Sequence, residues 1–237
     1  MELEENAGKT AEKKGIKRMK YIIMCGGEYV RFGTPRQLWP FMGEKIVDRT
    51  IRLLHENGVT DIAISSNDDR FEGHGVPVLR HENDYVTRAH NNSDGEWCNC
   101  FYPTDEPTCY IFGDVVYSNT AIKTIVETKT DDIMFFGSAP PFPDEYVKPW
   151  IEPFGFKVED PDHLKRAVED VKRLHREGRF NREPIAWEVW NVISRGPEGD
   201  VNTIDYGSYV HINDWTCDID TPDEIGLLET MAERARQ

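Results

Sequence analysis

The chain has 237 residues and a net charge of −15 at pH 7. This acidic balance argues against non-specific nucleic-acid binding, which needs a basic face, but local arginines can still hold a small anion in a cleft. We expect neither a membrane span nor a secretory signal, because no apolar stretch is long enough. The five cysteines, an odd number, predict reduced thiols and a cytoplasmic location.

Residues 1–18 are polar and charged, and we predict a disordered tail there, followed by a single domain over 19–237. Apolar runs and helical periodicity then alternate along the chain. Strands are predicted at 21–24, 61–65, 77–80, 108–112 and 133–136, with helices at 46–56 and 121–127. This alternation predicts a doubly wound, mostly parallel α/β sheet of Rossmann-like type.

The segment 139–207 interrupts the alternation. Prolines and aromatic residues are concentrated at its start, and helices are predicted at 162–177 and 185–192, before a strand at 206–212. We interpret the segment as an insertion that covers one edge of the sheet.

Glycines and arginines follow the first predicted strand closely. Gly26, Gly27 and Gly33 lie within one short loop together with Arg31 and Arg36. Glycine lets backbone N–H groups approach an anion closely, and arginine adds forked donors with a permanent positive charge. The spacing fits neither the dinucleotide fingerprint nor the P-loop, which needs a lysine that is missing here. The loop therefore predicts anion binding of another type.

This loop resembles the first motif of the nucleotidyltransferases with a GT-A-like fold. The matches in order are Gly26, Gly27, Arg31, Gly33, Pro35 and Leu38. Tyr29 stands where that family usually has glycine, and Arg36 where it usually has lysine. The resemblance implies catalytic roles for Arg31 and Arg36 and a nucleotide-binding role for Cys25, Gly26, Gly27, Glu28, Tyr29, Gly33 and Gln37.

Three aspartates fit a magnesium site. Asp114 follows the predicted strand 108–112, and ligands of open α/β sheets bind beyond the carboxyl ends of strands. Asp218 and Asp220 point to the same side of an extended segment, and carboxylate oxygens suit Mg²⁺. The family carries metal-binding aspartates at matching positions. Alternatively, these acids only begin a helix, because 221–224 forms a good capping box, although this does not explain Asp218.

The resemblance is nearest to the choline-phosphate cytidylyltransferase and sugar-phosphate nucleotidyltransferase branches. It implies Mg²⁺-dependent transfer of a nucleoside monophosphate, with CMP from CTP favoured, to a small phosphorylated or phosphonate acceptor, and release of pyrophosphate. Candidate residues for the base are Ser66, Asn67 and Asn83, and those for the acceptor are Lys148, Lys157 and Arg182. A homodimer is one assembly that the sequence leaves open.

Two other functions remain open from the sequence. The Asp218-Ile219-Asp220 triplet imitates the metal motif of GT-A glycosyltransferases, which use nucleotide sugars. The departures at Tyr29 and Arg36 are compatible with a non-catalytic nucleotide-binding module. Glycosyltransferases lack an arginine-rich first loop, which favours the nucleotidyltransferase.

Overall fold

The computed structural model of the protein describes residues 19–26, 31–80, 96–143, 147–148, 150–205 and 207–236. The predicted tail 1–18 and four predicted nucleotide-binding residues lie outside this part of the chain; the four are Gly27, Glu28, Tyr29 and Asn83.

The described elements alternate between strands and helices, largely as predicted. The strands are β1 Lys20–Met24, β2 Pro40–Phe41, β3 Glu44–Lys45, β4 Ile62–Ser65, β5 Val78–Leu79, β6 Thr108–Phe112, β7 Val115–Val116, β8 Ile133–Gly137, β9 Pro153–Val158, β10 Val210–His211 and β11 Cys217–Asp218. The helices are α1 Ile46–Glu56, α2 Asn119–Glu127, α3 Pro161–Arg176, α4 Ala186–Arg195 and α5 Pro222–Arg234.

A seven-stranded sheet with the order β10-β8-β9-β6-β1-β4-β5 forms the centre of the molecule. The pairs β1/β4, β1/β6, β4/β5 and β10/β8 are parallel, and β9 is antiparallel to both of its neighbours. The apolar runs become central strands because both faces are covered: Ile22, Ile23 and Ile111 are fully buried. The prediction of a mostly parallel α/β fold is confirmed.

The interpretation of 139–207 as a cover on one sheet edge is wrong for β9. This strand lies between β6 and β8 and pairs with both. Phe154 and Phe156 on it are fully buried, and Gly155 allows close pairing because a Cβ atom there would lie 2.5 Å from the Tyr110 carbonyl oxygen. The glycine and the preceding prolines weaken the strand pattern in the sequence.

The helix predicted over 162–177 is α3. Asp160 caps its first turn by accepting from the backbone N–H groups of Asp162 and His163, and Pro161 provides a suitable first residue. Its apolar face is buried through residues such as Leu164, Val171 and Leu174. Within the described residues, no helix is both long and apolar enough for a membrane crossing.

Candidate active site

The site forms where β1 and β6 end. Because these strands are parallel neighbours, Gly26 after β1 and Asp114 after β6 lie at the same edge of the sheet. Between them, Gly113 donates its backbone N–H to the Met24 carbonyl over 3.0 Å. A Cβ atom on Gly113 would lie 2.6 Å from that oxygen and 2.7 Å from Cys25 Sγ. Only glycine fits this close approach without displacing its neighbours.

A short antiparallel ribbon brings the C-terminal acids to Asp114. In it β7 pairs with β11, so that Asp218 lies opposite Val115, and Ile219 donates its backbone N–H to the Asp114 carbonyl over 3.0 Å. The ribbon places Asp114, Asp218 and Asp220 around one region, the grouping expected from the sequence. The capping box predicted at the start of α5 is also present. Metal binding by these acids stays a prediction.

The Arg36 guanidinium lies between Asp114, which follows β6, and Asp220, which follows β11. One nitrogen, Nη1, donates to the Ile219 carbonyl at 2.6 Å and to Asp220 Oδ1 at 3.0 Å, while Nη2 lies 3.6 Å from Asp114 Oδ2. Burial acts to lower the pKa of this guanidinium, but the charges of Asp114 and Asp220 raise it overall. Arg36 is therefore a fixed cation at the centre of the site.

The Lys148 ammonium forms a second cationic centre. Its Nζ donates to Asp218 Oδ1 at 2.6 Å and to Asp220 Oδ2 at 2.7 Å, and it lies 3.6 Å from Glu152 Oε1. Burial acts to lower the pKa of Lys148, but the neighbouring carboxylates raise it well above its ordinary value. The sequence predicted Lys148 as an acceptor ligand, whereas here its ammonium is paired within the acidic cluster.

Glu152 is the acidic residue that sequence reasoning missed. One ligand oxygen from each of Glu152, Asp218 and Asp220 lies within 4.8 Å of the others. Trp150 Nε1 also donates to Glu152, and burial raises the pKa of this carboxyl. A usable signal exists in principle: β9 is antiparallel, so the residue before it lies at the same sheet edge as the ends of β6 and β8.

The cluster contains more carboxylates than cationic side chains. Four carboxylates face the side chains of Arg36 and Lys148, so the fully ionised cluster carries a net charge of −2. Burial and the nearby Glu152 raise the pKa of Asp218 well above its ordinary value. Burial also acts to raise the pKa of Asp220, but the hydrogen bond from Lys148 and the charge of Arg36 lower it overall.

An all-oxygen donor set with excess negative charge fits a hard divalent cation. Glu152, Asp218 and Asp220 are the described residues whose oxygens are grouped closely enough to hold such an ion, and the Lys148 ammonium contacts all three. Asp114 lines the same cleft but is not part of this group.

A cleft of about 470 Å³ opens beside these acids. Gly26, Arg36, Gln37 and Arg182, all predicted site residues, line it together with Asp114, Asp218 and Asp220. Three tryptophans line it as well, namely Trp97, Trp150 and Trp187. Arg182 is oriented by Glu188, whose Oε1 accepts from Arg182 Nε at 2.6 Å while Oε2 accepts from the Ile185 backbone N–H.

Comparison with known proteins finds a family match over the first part of the chain. Residues 21–90, from β1 through the glycine-rich loop and beyond β5, match the family model of the MobA-like NTP transferase domain. The resemblance to the nucleotidyltransferases is confirmed for this segment. A comparison with curated proteins finds no match.

A likeness in fold to a solved structure extends over most of the chain. A crystal structure from Bacillus anthracis, assigned to a glucose-1-phosphate thymidylyltransferase and solved with sucrose, is similar with a TM-score of 0.54. The match covers 90% of this chain and 95% of the other, at 17% identity. At this identity the likeness shows the shared fold and nothing finer about substrates.

The remaining predicted nucleotide-binding residues are more scattered. Cys25 follows β1 and is buried, and its carbonyl accepts from the buried Ser66 hydroxyl at 3.1 Å. Asn67 next to it is exposed. Arg31 and Gly33 are also exposed, and Gly33 has the left-handed φ of 65° that favours glycine. Their roles toward a nucleotide stay predictions.

Lys157 is not placed for acceptor binding, and that prediction is corrected. Its partners across the sheet are Cys109, near the start of β6, and Met134, near the start of β8, so it lies toward the edge opposite the site. The buried ammonium donates to the carbonyls of Val126 at 3.0 Å and Thr128 at 2.6 Å, at the end of α2. Burial lowers the pKa of Lys157. Its role is to satisfy helix-end carbonyls.

Proposed function

We propose that this chain transfers a nucleoside monophosphate from a nucleoside triphosphate to a small phosphorylated or phosphonate acceptor. An acceptor oxygen attacks the α-phosphorus, the bond from the α-phosphorus to the oxygen that bridges to the β-phosphorus breaks, and pyrophosphate leaves with the electron pair. One observation carries the proposal: Arg36 bridges Asp114 and Asp220 in the cleft that Gly26 also lines. A cation, two carboxylates and the first glycine of the loop thus meet in one place.

The protein's contribution would be positioning and charge stabilisation. Backbone N–H groups of the loop after β1 would hold the triphosphate, with Arg31 toward the departing phosphates. Arg36 would stabilise the charge that develops around the α-phosphate, in place of the family's lysine. Mg²⁺ held by Asp218 and Asp220, with Asp114 lining the same cleft, would supply further charge neutralisation of phosphate oxygens.

On the acceptor side, Arg182 is the best-supported residue. Its side chain is half-exposed, lines the cleft and is held by Glu188, so a forked donor faces the space beside the acids. Lys148 would join it only after leaving the carboxylates. CTP stays the favoured nucleotide through the family resemblance, with Ser66, Asn67 and Asn83 as candidates for the base.

The test is pyrophosphate release measured with Mg²⁺ for each of four nucleoside triphosphates against a panel of acceptors. The panel contains sugar 1-phosphates, amino-alcohol phosphates and phosphonates, each with a control lacking acceptor. Mass spectrometry then identifies the nucleoside diphosphate-linked product. Acceptor-dependent pyrophosphate release with such a product supports the proposal.

Two other outcomes point to the competing functions. Turnover of a nucleotide sugar without pyrophosphate release would identify a glycosyltransferase. Tight nucleotide binding without turnover for any acceptor would identify a non-catalytic module. In either case the roles proposed for Arg36 and Asp114 would be withdrawn.

A further inference from the structure

Lys148 occupies an unusual position for a lysine. Its side chain is almost fully buried, and its ammonium contacts carboxylates from two separate segments of the chain. Asp218 and Asp220 accept hydrogen bonds from it at 2.6 and 2.7 Å, and Glu152 Oε1 lies 3.6 Å away. Burying an ammonium is costly unless it is paired in this way. The three carboxylates therefore surround one cation.

The same three carboxylates have the spacing of a single ion site, because one oxygen from each lies within 4.8 Å of the others. A divalent cation such as Mg²⁺ binds carboxylate oxygens at about 2.0–2.1 Å. An ammonium nitrogen within hydrogen-bond distance of Asp218 and Asp220 takes up the space that such an ion needs. The Lys148 ammonium and a divalent cation cannot both be accommodated between these side chains.

We propose that Glu152, Asp218 and Asp220 form one cation site that the Lys148 ammonium fills until a divalent cation displaces it. Glu152 thereby becomes a cation-binding residue of the site, and Lys148 an internal competitor of the ion. Displacement releases the ammonium toward the cleft, where the acceptor phosphate is expected. This last consequence depends on the proposed function, whereas the exchange itself requires no substrate.

The exchange predicts the effect of removing the competing charge. In Lys148→Met the carboxylates keep their negative charge and lose the ammonium, so the full-length protein should bind Mn²⁺ more tightly. Coupling between two bound groups typically changes affinity by roughly 5- to 150-fold, and we expect a gain in this range. Free Mn²⁺ is measured by electron paramagnetic resonance in a titration without nucleotide or acceptor.

Lys157→Met is the matched control, because Lys157 is also a buried lysine but donates to carbonyls at the end of α2. Its Mn²⁺ affinity should equal that of the parent. Unchanged or weaker Mn²⁺ binding by Lys148→Met would overturn the exchange. If methionine prevents folding, Lys148→Gln replaces it, because glutamine removes the charge but keeps hydrogen-bonding atoms. Tighter Mn²⁺ binding by this variant would support the exchange, and unchanged or weaker binding would overturn it.

The role of Glu152 is tested separately. Glu152→Gln keeps the size of the side chain and removes one charged ligand. The affinity of the protein for Mn²⁺ should therefore fall by about tenfold or more. An affinity equal to that of the parent would overturn Glu152 as a cation-binding residue.

Failure of this inference can be told from failure of the proposed function. The Mn²⁺ titrations use no substrate, whereas the function is read from acceptor-dependent pyrophosphate release. If the parent is active but Lys148→Met binds Mn²⁺ no more tightly than the parent, the proposed function stands and the exchange is refuted. If the parent is inactive but Lys148→Met binds Mn²⁺ more tightly, the exchange stands and the proposed function is refuted.

Discussion

The backbone N–H of Ile219 donates a hydrogen bond of 3.0 Å to the carbonyl oxygen of Asp114. The Ile219 carbonyl in turn accepts from Arg36 Nη1 at 2.6 Å. Through this one residue, the acid after β6, the acids at the end of β11 and the first loop are held in a fixed relation. The site therefore depends on backbone pairing as much as on its charged side chains.

Arg36 should be sensitive to geometry as well as charge. Arg36→Ala removes the cation between Asp114 and Asp220, and loss of one preorganised charge-stabilising donor typically lowers kcat about 10²–10³-fold. Arg36→Lys keeps the charge but loses the forked donors, so its kcat should lie between those of the parent and Arg36→Ala. Pyrophosphate release measures both.

Arg52→Ala is the control for Arg36, because Arg52 is a surface arginine that pairs with Glu44 and Glu56. Its kcat should match that of the parent. Full activity in Arg36→Ala, with the control also active, would contradict the role given to this guanidinium.

Two glycines should respond to alanine in opposite directions. Gly113→Ala places a Cβ atom against the Met24 carbonyl oxygen and should lower the free energy of unfolding by about 1–3 kcal/mol, as overpacking usually does. Gly226→Ala in α5 meets nothing within 4 Å and should raise the free energy by about 0.5–1 kcal/mol. Urea denaturation measures both, and equal effects would contradict the close approach at Gly113.

The five cysteines are buried and form no disulfide, and they should react slowly in the native protein. Burial raises the pKa of Cys98 and Cys109 to about 12, and only the thiolate attacks a thiol reagent. Native reactivity should therefore keep rising between pH 8 and 10, whereas unfolded thiols level off above about pH 8.5. Stopped-flow modification in buffer and in urea measures this, and complete modification of the native protein at the unfolded rate would contradict it.

Lys157→Met should lower stability and leave the KM for the acceptor unchanged. The substitution removes two hydrogen bonds to carbonyls at the end of α2, each typically worth about 0.5–1.5 kcal/mol net. Urea denaturation and acceptor titration measure the two effects. An increase in KM without a loss of stability would restore Lys157 as an acceptor residue.

The sequence predicted the parts of the fold whose patterns are local. The strands β1 and β6 each contain an uninterrupted apolar run, and α1 and α3 bury one helical face each, so periodicity identifies them. The strand β9 was missed because Pro153 and Gly155 weaken its pattern, and because its stability comes from pairing with β6 and β8.

The site was predicted to a similar extent. Asp114, Asp218 and Asp220 come together as expected, since strand ends and side-chain alternation can be read from sequence. The position of Glu152 follows only from the antiparallel direction of β9, and the pairing of Lys148 with these acids follows only from tertiary structure. The prediction for Lys157 was wrong for the same reason. The direction of β9 decides which edge of the sheet Lys157 approaches, and this direction cannot be read from the sequence.

The most direct measurement compares acceptor-dependent pyrophosphate release by the parent protein with that of Asp114→Asn and Asp220→Asn. Asp105→Asn is the control, because Asp105 is an exposed aspartate paired with Lys165. We expect release that requires both nucleoside triphosphate and acceptor, lowered about 100-fold or more in the two site variants and unchanged in the control. Equal release by all four proteins would contradict the roles assigned to Asp114 and Asp220.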